Sequence, residues 1–208
     1  MSRTLDPDLV RPADTAVLTM ELQRGIVGPE SLVPDLGDQL RAAGGIDAVA
    51  RLLKAARAAG VAVVHATVAH RPGGRPAGAN APILRRAEAV PGANLHIGSV
   101  SAQVLAELGP EPGDVVVERH HGVTPFTATE LDATLRGLGI RTVVLVGVSL
   151  NMGILGASVE AIGLGYNVVV PADAVAGSPP DYAADVLRYS LRHLAWLSTV
   201  DEVVAAWT

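Results

Sequence analysis

One stretch of the sequence constrains the fold more than any other, namely Thr142–Val148 with the turn that follows it. Its residues, TVVLVGV, are almost all apolar or β-branched, which is typical of a central parallel strand covered on both faces. Gly147 allows a sharp exit, and Asn151 is suited to cap a helix that begins near Met152. A strand, a tight turn and a helix N-terminus bring backbone N–H groups together, which favours binding of an anion or a developing oxyanion. The residue at that point is Gly153, which offers no side chain.

The rest of the chain repeats this alternation of strand and helix. Short apolar runs predict strands at residues 15–20, 61–65, 114–118, 167–170 and 196–198. Helical periodicity and capping residues predict helices at about residues 45–60, 101–108, 129–138, 181–193 and 200–207, whereas residues 27–40 are rich in turn formers. The alternation indicates an α/β fold with a mainly parallel sheet and right-handed crossovers.

Length and charge indicate one domain and restrict its partners. The 208 residues can fill one core, and they contain no internal repeat or linker. Residues 1–13 have two prolines and no periodicity, so we predict an N-terminal arm before a single domain at 14–208. A signal peptide and an apolar run of membrane-spanning length are both missing, which predicts a cytoplasmic protein without a membrane partner. A net charge of −5 without long charge runs disfavours nucleic acid as a partner.

Several chemistries are excluded by what the chain lacks. There is no cysteine, so disulfides, thiolate metal sites and thiol nucleophiles are impossible. Neither a GxGxxG after a strand nor a P-loop is present, and no cofactor is predicted. His120 and His121 are neighbours that would point to opposite faces of a strand, and His70 has no companion ligands nearby. We therefore predict no metal site.

The residues that can do chemistry are those that follow the predicted strands, because sites in α/β sheets lie beyond the carboxyl ends of the strands. Glu21 directly follows a buried strand, and Arg119 ends another. A carboxylate in that place either pairs with a partner or has a function. Two interpretations stay open: a structural ion pair at the sheet edge, or a functional pair.

A long loop rich in glycine and proline, at about residues 71–94, follows the second predicted strand. A loop of that length in a compact domain is typical of a lid or a binding segment, or is poorly ordered. Its region carries Arg71, Arg75, Arg85 and Arg86 against Glu88. This positive balance is suited to attract a carboxylate substrate, although it is equally typical of a solvated loop.

Two segments resemble a known family. TAVLTMELQRGIV, from residue 15, resembles the opening strand of the isochorismatase-like hydrolases, in which an aspartate is followed two residues later by glutamine. Residues 115–176, from VVVERHH to PADAVA, resemble the middle and end of that family. The similarity runs in order from about residue 14 to residue 204. It implies a three-layer α/β/α sandwich with a Rossmann-like sheet and, commonly, a homodimer or larger homo-oligomer.

Three positions depart from the family's usual pattern. Most members are amidases similar to nicotinamidase, with an aspartate base, a lysine and a cysteine nucleophile, and these positions hold Glu21, Arg119 and Gly153 here. Without a nucleophile, hydrolysis through a thioester is excluded. The isochorismatases proper resemble this chain in having glycine there, and they protonate a vinyl ether with the aspartate. Arg119, however, would hold Glu21 ionised, which does not suit a general acid but is compatible with gripping a substrate carboxylate.

The sequence thus predicts a hydrolase without a thiol that acts on a small anionic or cyclic metabolite. Glu21 would be the acid/base group, Arg119 the charge partner or substrate clamp, and the backbone N–H groups near Gly153 would stabilise negative charge. The predicted substrate contacts are Gln23, His70, Phe126, Asn151 and Met152. The alternative is a catalytically silent relative that binds a ligand or a protein.

Overall fold

The protein is built around one parallel sheet. The computed structural model describes residues 5–29, 31, 34–71, 80–89 and 95–208. Within them the strands are β1 (Thr15–Met20), β2 (Ala62–Val68), β3 (Val115–Arg119), β4 (Thr142–Val148), β5 (Asn167–Pro171), β6 (Val175–Ala176) and β7 (Trp196–Ser198). Six lie side by side in the order β3-β2-β1-β4-β5-β7, all pairs being parallel, and β6 pairs in parallel with the end of β4. The predicted parallel sheet is confirmed.

Helices cover both faces of the sheet. They are α1 (Arg24–Val27), α2 (Pro34–Ala42), α3 (Gly45–Ala58), α4 (Pro82–Ala89), α5 (Leu131–Gly137), α6 (Leu155–Gly163), α7 (Pro180–Asp185) and α8 (Val200–Ala205). One core cluster joins α1, α2, α3 and α8 to one face of the sheet, and a second joins α5, α6 and α7 to the other. The three-layer sandwich is therefore confirmed. Among the described helices, none is long and apolar enough to span a membrane.

The two cores follow from alternation along buried strands. In β4 the side chains of Val144, Val146 and Val148 enter the first core, while Val143 and Leu145 enter the second. Successive side chains of a strand point to opposite faces, so a strand covered on both sides must be apolar throughout. The pattern that predicted β4 as a central strand has this origin, and its bounds are those expected.

The N-terminal segment is part of the domain rather than a free arm. From Leu5 onwards it forms two short 3₁₀ turns, and Val10 is fully buried in the first core. The carbonyl of Val10 accepts a hydrogen bond from the Trp207 indole at 2.7 Å, and the carbonyl of Leu9 accepts one from Thr142 at 2.7 Å. The predicted arm at residues 1–13 is thus wrong for the described part, because its apolar side chains pack although they show no periodicity.

Other predictions of local structure need smaller corrections. Residues 27–40 were expected to form turns but include most of α2, and the helix expected at 101–108 is only two 3₁₀ turns, Val100–Ala102 and Ala106–Leu108. Ser99 does cap the first of these turns, accepting a hydrogen bond from the Ala102 amide at 3.2 Å. The sequence predicted turns where a helix forms, and a helix where two short turns form. Tertiary contacts rather than local propensity determine the structure of such short segments.

A buried polar chain runs beneath α3. His65 lies on β2 with no exposed surface, and its Nδ1 accepts from the Thr19 hydroxyl at 2.8 Å while its Nε2 donates to Asp114 at 3.2 Å. The donor roles follow because an ionised carboxylate can only accept. Arg57 closes the chain with two hydrogen bonds to Asp114, at 2.7 and 3.1 Å. Burial lowers the pKa of His65, and the Asp114 hydrogen bond and charge offset this only in part.

We expect this histidine to make the fold less stable below neutral pH. Because its folded pKa lies below the ordinary 6.5, the unfolded chain binds the extra proton more readily. The contribution of neutral His65 to stability is complete above pH 6.5 and is lost as the pH falls below that value. Lowering the pH from about 7.5 to 5.5 should lower the melting temperature, by roughly 2–4 °C for each kcal/mol of unfolding free energy that is lost. His65→Gln should flatten this slope, whereas the exposed His193→Gln should leave it unchanged; equal slopes in all three proteins would contradict the assignment.

The small residues of α6 and the turn before it face inward. A Cβ added at Gly156 would lie 2.5 Å from the Thr124 methyl, and Ala157 and Ala161 are fully buried in the second core. They therefore serve packing within the subunit. The outward side of the same segment instead carries Met152, Val159 and Ile162 at 40–53% exposure.

That the protein forms a homodimer or larger homo-oligomer stays a prediction. We expect the outward stripe of Met152, Val159 and Ile162 to form its interface. Light scattering at micromolar concentration should give a mass of at least twice the 21.3 kDa of one chain. Val159→Glu would place a charge in the middle of the stripe and should shift the mass towards one chain, because an unpaired charge is costly to bury. Lys54→Glu, on α3 at the opposite face of the sheet, is the control. A wild-type mass of one chain would contradict the prediction.

Candidate functional site

The strand order fixes where a site can form. From β1 the chain proceeds outwards through β2 to β3, and β4 then returns to the other side of β1. The switch point of this doubly wound sheet lies between β1 and β4, where the ends of the strands leave a crevice. Met20 and Gly147 are paired at that edge, so Glu21 and the turn after β4 both emerge there.

Glu21 has an unusual backbone. Its φ of +54° is left-handed, a region in which a non-glycine residue costs about 1 kcal/mol or more. Its amide donates to the Ala66 carbonyl of β2 at 2.9 Å, which helps to hold this conformation. Strain of this kind persists only where the surrounding structure imposes it, and it concentrates at functional sites. The backbone thus aims the Glu21 side chain away from the strand direction, towards the end of β3.

Arg119 meets Glu21 across the end of β2. Its Nη2 donates to the Glu21 carboxylate, and the two side chains are only 6% and 16% exposed. The predicted ion pair is confirmed. The Arg119 Nε donates to the Gly122 carbonyl at 3.4 Å, whereas its Nη1 is buried without a hydrogen-bond partner among the described residues.

Gly153 is buried within a π-helical turn, Leu150–Ile154, that precedes α6. Ser149, rather than the expected Asn151, is the residue before this turn. A Cβ at Gly153 would lie 3.0 Å from Met20 Cε and 3.2 Å from the Val148 carbonyl oxygen. The residue next to Glu21 therefore packs against the position that lacks a side chain.

Two residues predicted to contact substrate have contacts within the domain. Gln23 is completely buried; its amide nitrogen donates to the carbonyls of Val68 and Ala102 at 2.9 and 2.8 Å, and its oxygen accepts from the Val68 amide at 2.8 Å. Phe126 lies in the second core with its ring 6.0 Å from that of Tyr166, which precedes β5 at the amino end of the sheet. Both side chains therefore stabilise the domain, and their predicted contacts with substrate stay predictions.

The remaining predicted contacts are placed around the edge of the site. The Asn151 amide nitrogen donates to the Ser178 carbonyl at 3.3 Å, and its Oδ1 is buried without a partner among the described residues, so its predicted contact stays a prediction. Met152 is 40% exposed on the helical turn, and half-buried His70 pairs through its backbone with the segment at His96. The predicted roles of these two residues stay predictions.

Two further expectations concern the loop and metals. Of the predicted lid or binding loop at 71–94, residues 72–79 and 90–94 lie outside the described residues, and 82–89 form α4. Among the described residues, no group of three or more His, Asp and Glu side chains is arranged to hold a metal ion. Met20 is the neighbour of the site that sequence reasoning missed; only the register of β1 against β4 brings it to Gly153.

A parallel α/β sheet with a carboxylate and a cation at its switch point defines a class of small-molecule enzymes and their relatives. Comparison with known proteins narrows the class. The model of the isochorismatase domain matches residues 15–202, so the chain belongs to the isochorismatase family.

Curated relatives and solved structures agree with this membership. Ureidoacrylate amidohydrolase RutB of Rhizobium rhizogenes is 28% identical over 212 residues, covering 96% of this chain and 86% of its own length. The RutB of Variovorax paradoxus is 29% identical, covering 97% and 84%. An isochorismatase family protein of Burkholderia thailandensis superimposes with a TM-score of 0.77 at 30% identity, covering 95% and 97%. A cysteine hydrolase of Pseudomonas syringae pv. phaseolicola gives 0.77 at 25% identity, covering 96% and 94%.

The ion pair should contribute measurably to stability. Glu21→Gln leaves Arg119 as a buried charge without its counterion, so we expect a loss of about 2 kcal/mol, somewhat less than for a completely buried pair. Glu21→Gln combined with Arg119→Met should recover part of this loss, since no charge is then stranded. The exposed pair of Arg51 and Asp201, 57% and 82% exposed, provides a control, and Asp201→Asn should cost under about 0.5 kcal/mol. Urea unfolding that gives equal losses for Glu21→Gln and Asp201→Asn would contradict this view.

Proposed function

We propose that the protein is a hydrolase of small carboxylates that uses a water molecule, not an enzyme-bound nucleophile. The observation that carries the proposal is the different state of two Arg119 nitrogens. Nη2 donates to the Glu21 carboxylate, and Nη1 is buried without a hydrogen-bond partner among the described residues. A guanidinium offers several donors in a rigid fork, so it can hold two carboxylates at once. The second would belong to the substrate.

The ion pair supports the role of general base for Glu21. A carboxylate that accepts a hydrogen bond from a guanidinium can take up a proton but has none to donate. It would take one proton from a water molecule while the resulting hydroxide adds to the carbonyl carbon of an amide or ureide. The same proton then passes to the leaving nitrogen as the C–N bond breaks, which restores the carboxylate. Protonation of a vinyl ether as a first step is disfavoured by the same charge.

The turn before α6 would stabilise the oxyanion formed in that addition. Gly153 lies in the first helical turn after β4, where the helix dipole favours negative charge, while the N–H groups of Met152 and Ile154 donate to the Ser149 carbonyl at 3.2 and 3.0 Å. Since Arg119 comes from the end of β3 and the turn from the end of β4, the substrate would bridge the two across the switch point. Its carboxylate would lie at Arg119 and its reacting carbonyl nearer the turn.

The curated relatives support this substrate class. The RutB proteins are named for ureidoacrylate, a compound that combines a carboxylate with a ureide. The overall reaction, hydrolytic cleavage of a carbon–nitrogen bond, would be shared with them. The route would differ, because position 153 is glycine and the chain has no cysteine.

A catalytically silent relative is the second candidate, and one observation favours it. Met20 packs against Gly153 with its terminal methyl, so side-chain atoms fill the place beside this glycine. Such a protein would bind a carboxylate at Arg119 without turning it over. Ligand binding is therefore common to both candidates, and only turnover separates them.

Substitution at the base and at the clamp should distinguish the two. For the enzyme, Glu21→Gln should lower kcat by about 100-fold or more, because the amide keeps the size but cannot accept the proton. Arg119→Lys should chiefly raise KM, by about tenfold, because a point charge replaces the fork. The wild type would be screened for product release on small carboxylates with amide or ureide groups, cyclic imides and vinyl ethers.

Glu118→Gln provides the matched control, since Glu118 is the neighbouring acid on β3 and its carboxylate lies 3.8 Å from His120 rather than at the ion pair. Unchanged turnover in Glu21→Gln on any accepted substrate would refute the general base. If the wild type turns over none of these compounds but binds small carboxylates in an Arg119-dependent way, the silent relative is supported instead.

A further inference from the structure

Position 153 is enclosed by a specific neighbour, which is the terminal part of the Met20 side chain. An ideal Cβ built on Gly153 meets Met20 Cε at 3.0 Å and Met20 Cγ at 3.3 Å. Carbon atoms in contact normally stay at about 3.5–4.0 Å. Any side chain at 153 would therefore compete with Met20 for the same volume. A third atom, the Val148 carbonyl oxygen at 3.2 Å, belongs to the backbone and offers little freedom.

The backbone of Met20 cannot move away to make room. Met20 is the last residue of β1, paired with Ala66 of β2 on one side and with Gly147 of β4 on the other. At Gly147 the strands approach so closely that an added Cβ would lie 2.3 Å from the Met20 carbonyl oxygen. Only the Met20 side chain can yield, and it is fully buried in the second core. An unbranched methionine suits such an irregular gap.

We infer that Met20 is a second determinant of the chemistry available at this site, together with Gly153. Its side chain takes the volume that a side chain at 153 needs, and so keeps any nucleophile placed there away from a reacting group. A change of glycine to cysteine would thus not be sufficient to create an accessible thiol. Position 20 must change as well. This inference concerns steric access and holds for either candidate function.

The absence of cysteine makes a direct test possible. Gly153→Cys introduces the only thiol in the protein, and its rate of alkylation by iodoacetamide can be measured without interference. Val159→Cys, on α6 at 53% exposure, provides the rate of an accessible thiol. With Met20 in place, we expect the thiol of Gly153→Cys to react at least 100-fold more slowly than this reference. Adding Met20→Ala should raise its rate at least tenfold.

A matched control separates a specific gap from general loosening of the core. Leu18 lies on the same strand, faces the same core and is equally buried. Leu18→Ala with Gly153→Cys therefore creates a comparable cavity and should leave the alkylation slow. Melting curves of all variants would be recorded, and Met20→Val serves where Met20→Ala melts near the assay temperature. The inference is overturned if the thiol of Gly153→Cys reacts within threefold of the reference with Met20 present. It is also overturned if the Met20 variants accelerate alkylation no more than Leu18→Ala does.

Discussion

The pairing of β1 with β4 in the middle of the sheet is the contact on which both cores and the site depend. Six residues of each strand are in register, from Thr15 with Thr142 to Met20 with Gly147. The absence of a Cβ at Gly147 permits this close approach at the last pair, where its φ of +112° is also one that glycine tolerates best. Glu21 and the turn before α6 follow this last pair directly in the chain. A side chain at 147 would separate the strands at the point where the site is assembled.

The electrostatics of the site depend on one cation. Arg119 Nη2 donates to the Glu21 carboxylate, and among the described residues Nη1 is buried without a hydrogen-bond partner. An unsatisfied buried donor is costly, and such groups in native proteins usually mark a place where a ligand or water binds. Lysine, the residue that the family resemblance associates with this position, has a single nitrogen and could not offer the same fork. Under the proposed function, arginine would shift the site from proton exchange towards fixed charge and recognition of anions.

Much of the fold could be predicted from the sequence because its central strands are apolar on both faces. The bounds of β1 and β4 were predicted correctly, and so was the meeting of Glu21 with Arg119, since parallel strands end at one edge. The structure of residues 27–40 and 101–108 was not predicted correctly, because tertiary contacts override the local propensities of short segments.

The directions of the side chains at the site could not be predicted from the sequence. Gln23 follows Glu21 by two residues, yet the left-handed backbone at Glu21 breaks the alternation that would have placed the two on one side. Phe126 and Asn151 follow strands closely in sequence, but loops turn them towards Tyr166 and Ser178. No pattern in the chain indicates such reversals. The same holds for Met20, whose contact with Gly153 depends on register between strands far apart in sequence.

The left-handed backbone of Glu21 also bears on why a glutamate stands at this position. Aspartate and asparagine tolerate positive φ better than glutamate does, so an aspartate here would relax the chain. It would also be one methylene shorter, whereas Arg119 lies beyond an intervening strand. Glutamate is less tolerant of this backbone conformation, but its longer side chain reaches Arg119. Length rather than acidity is thus the property that distinguishes the two carboxylic acids at this site, and a shorter acid would need β3 to end closer to β1.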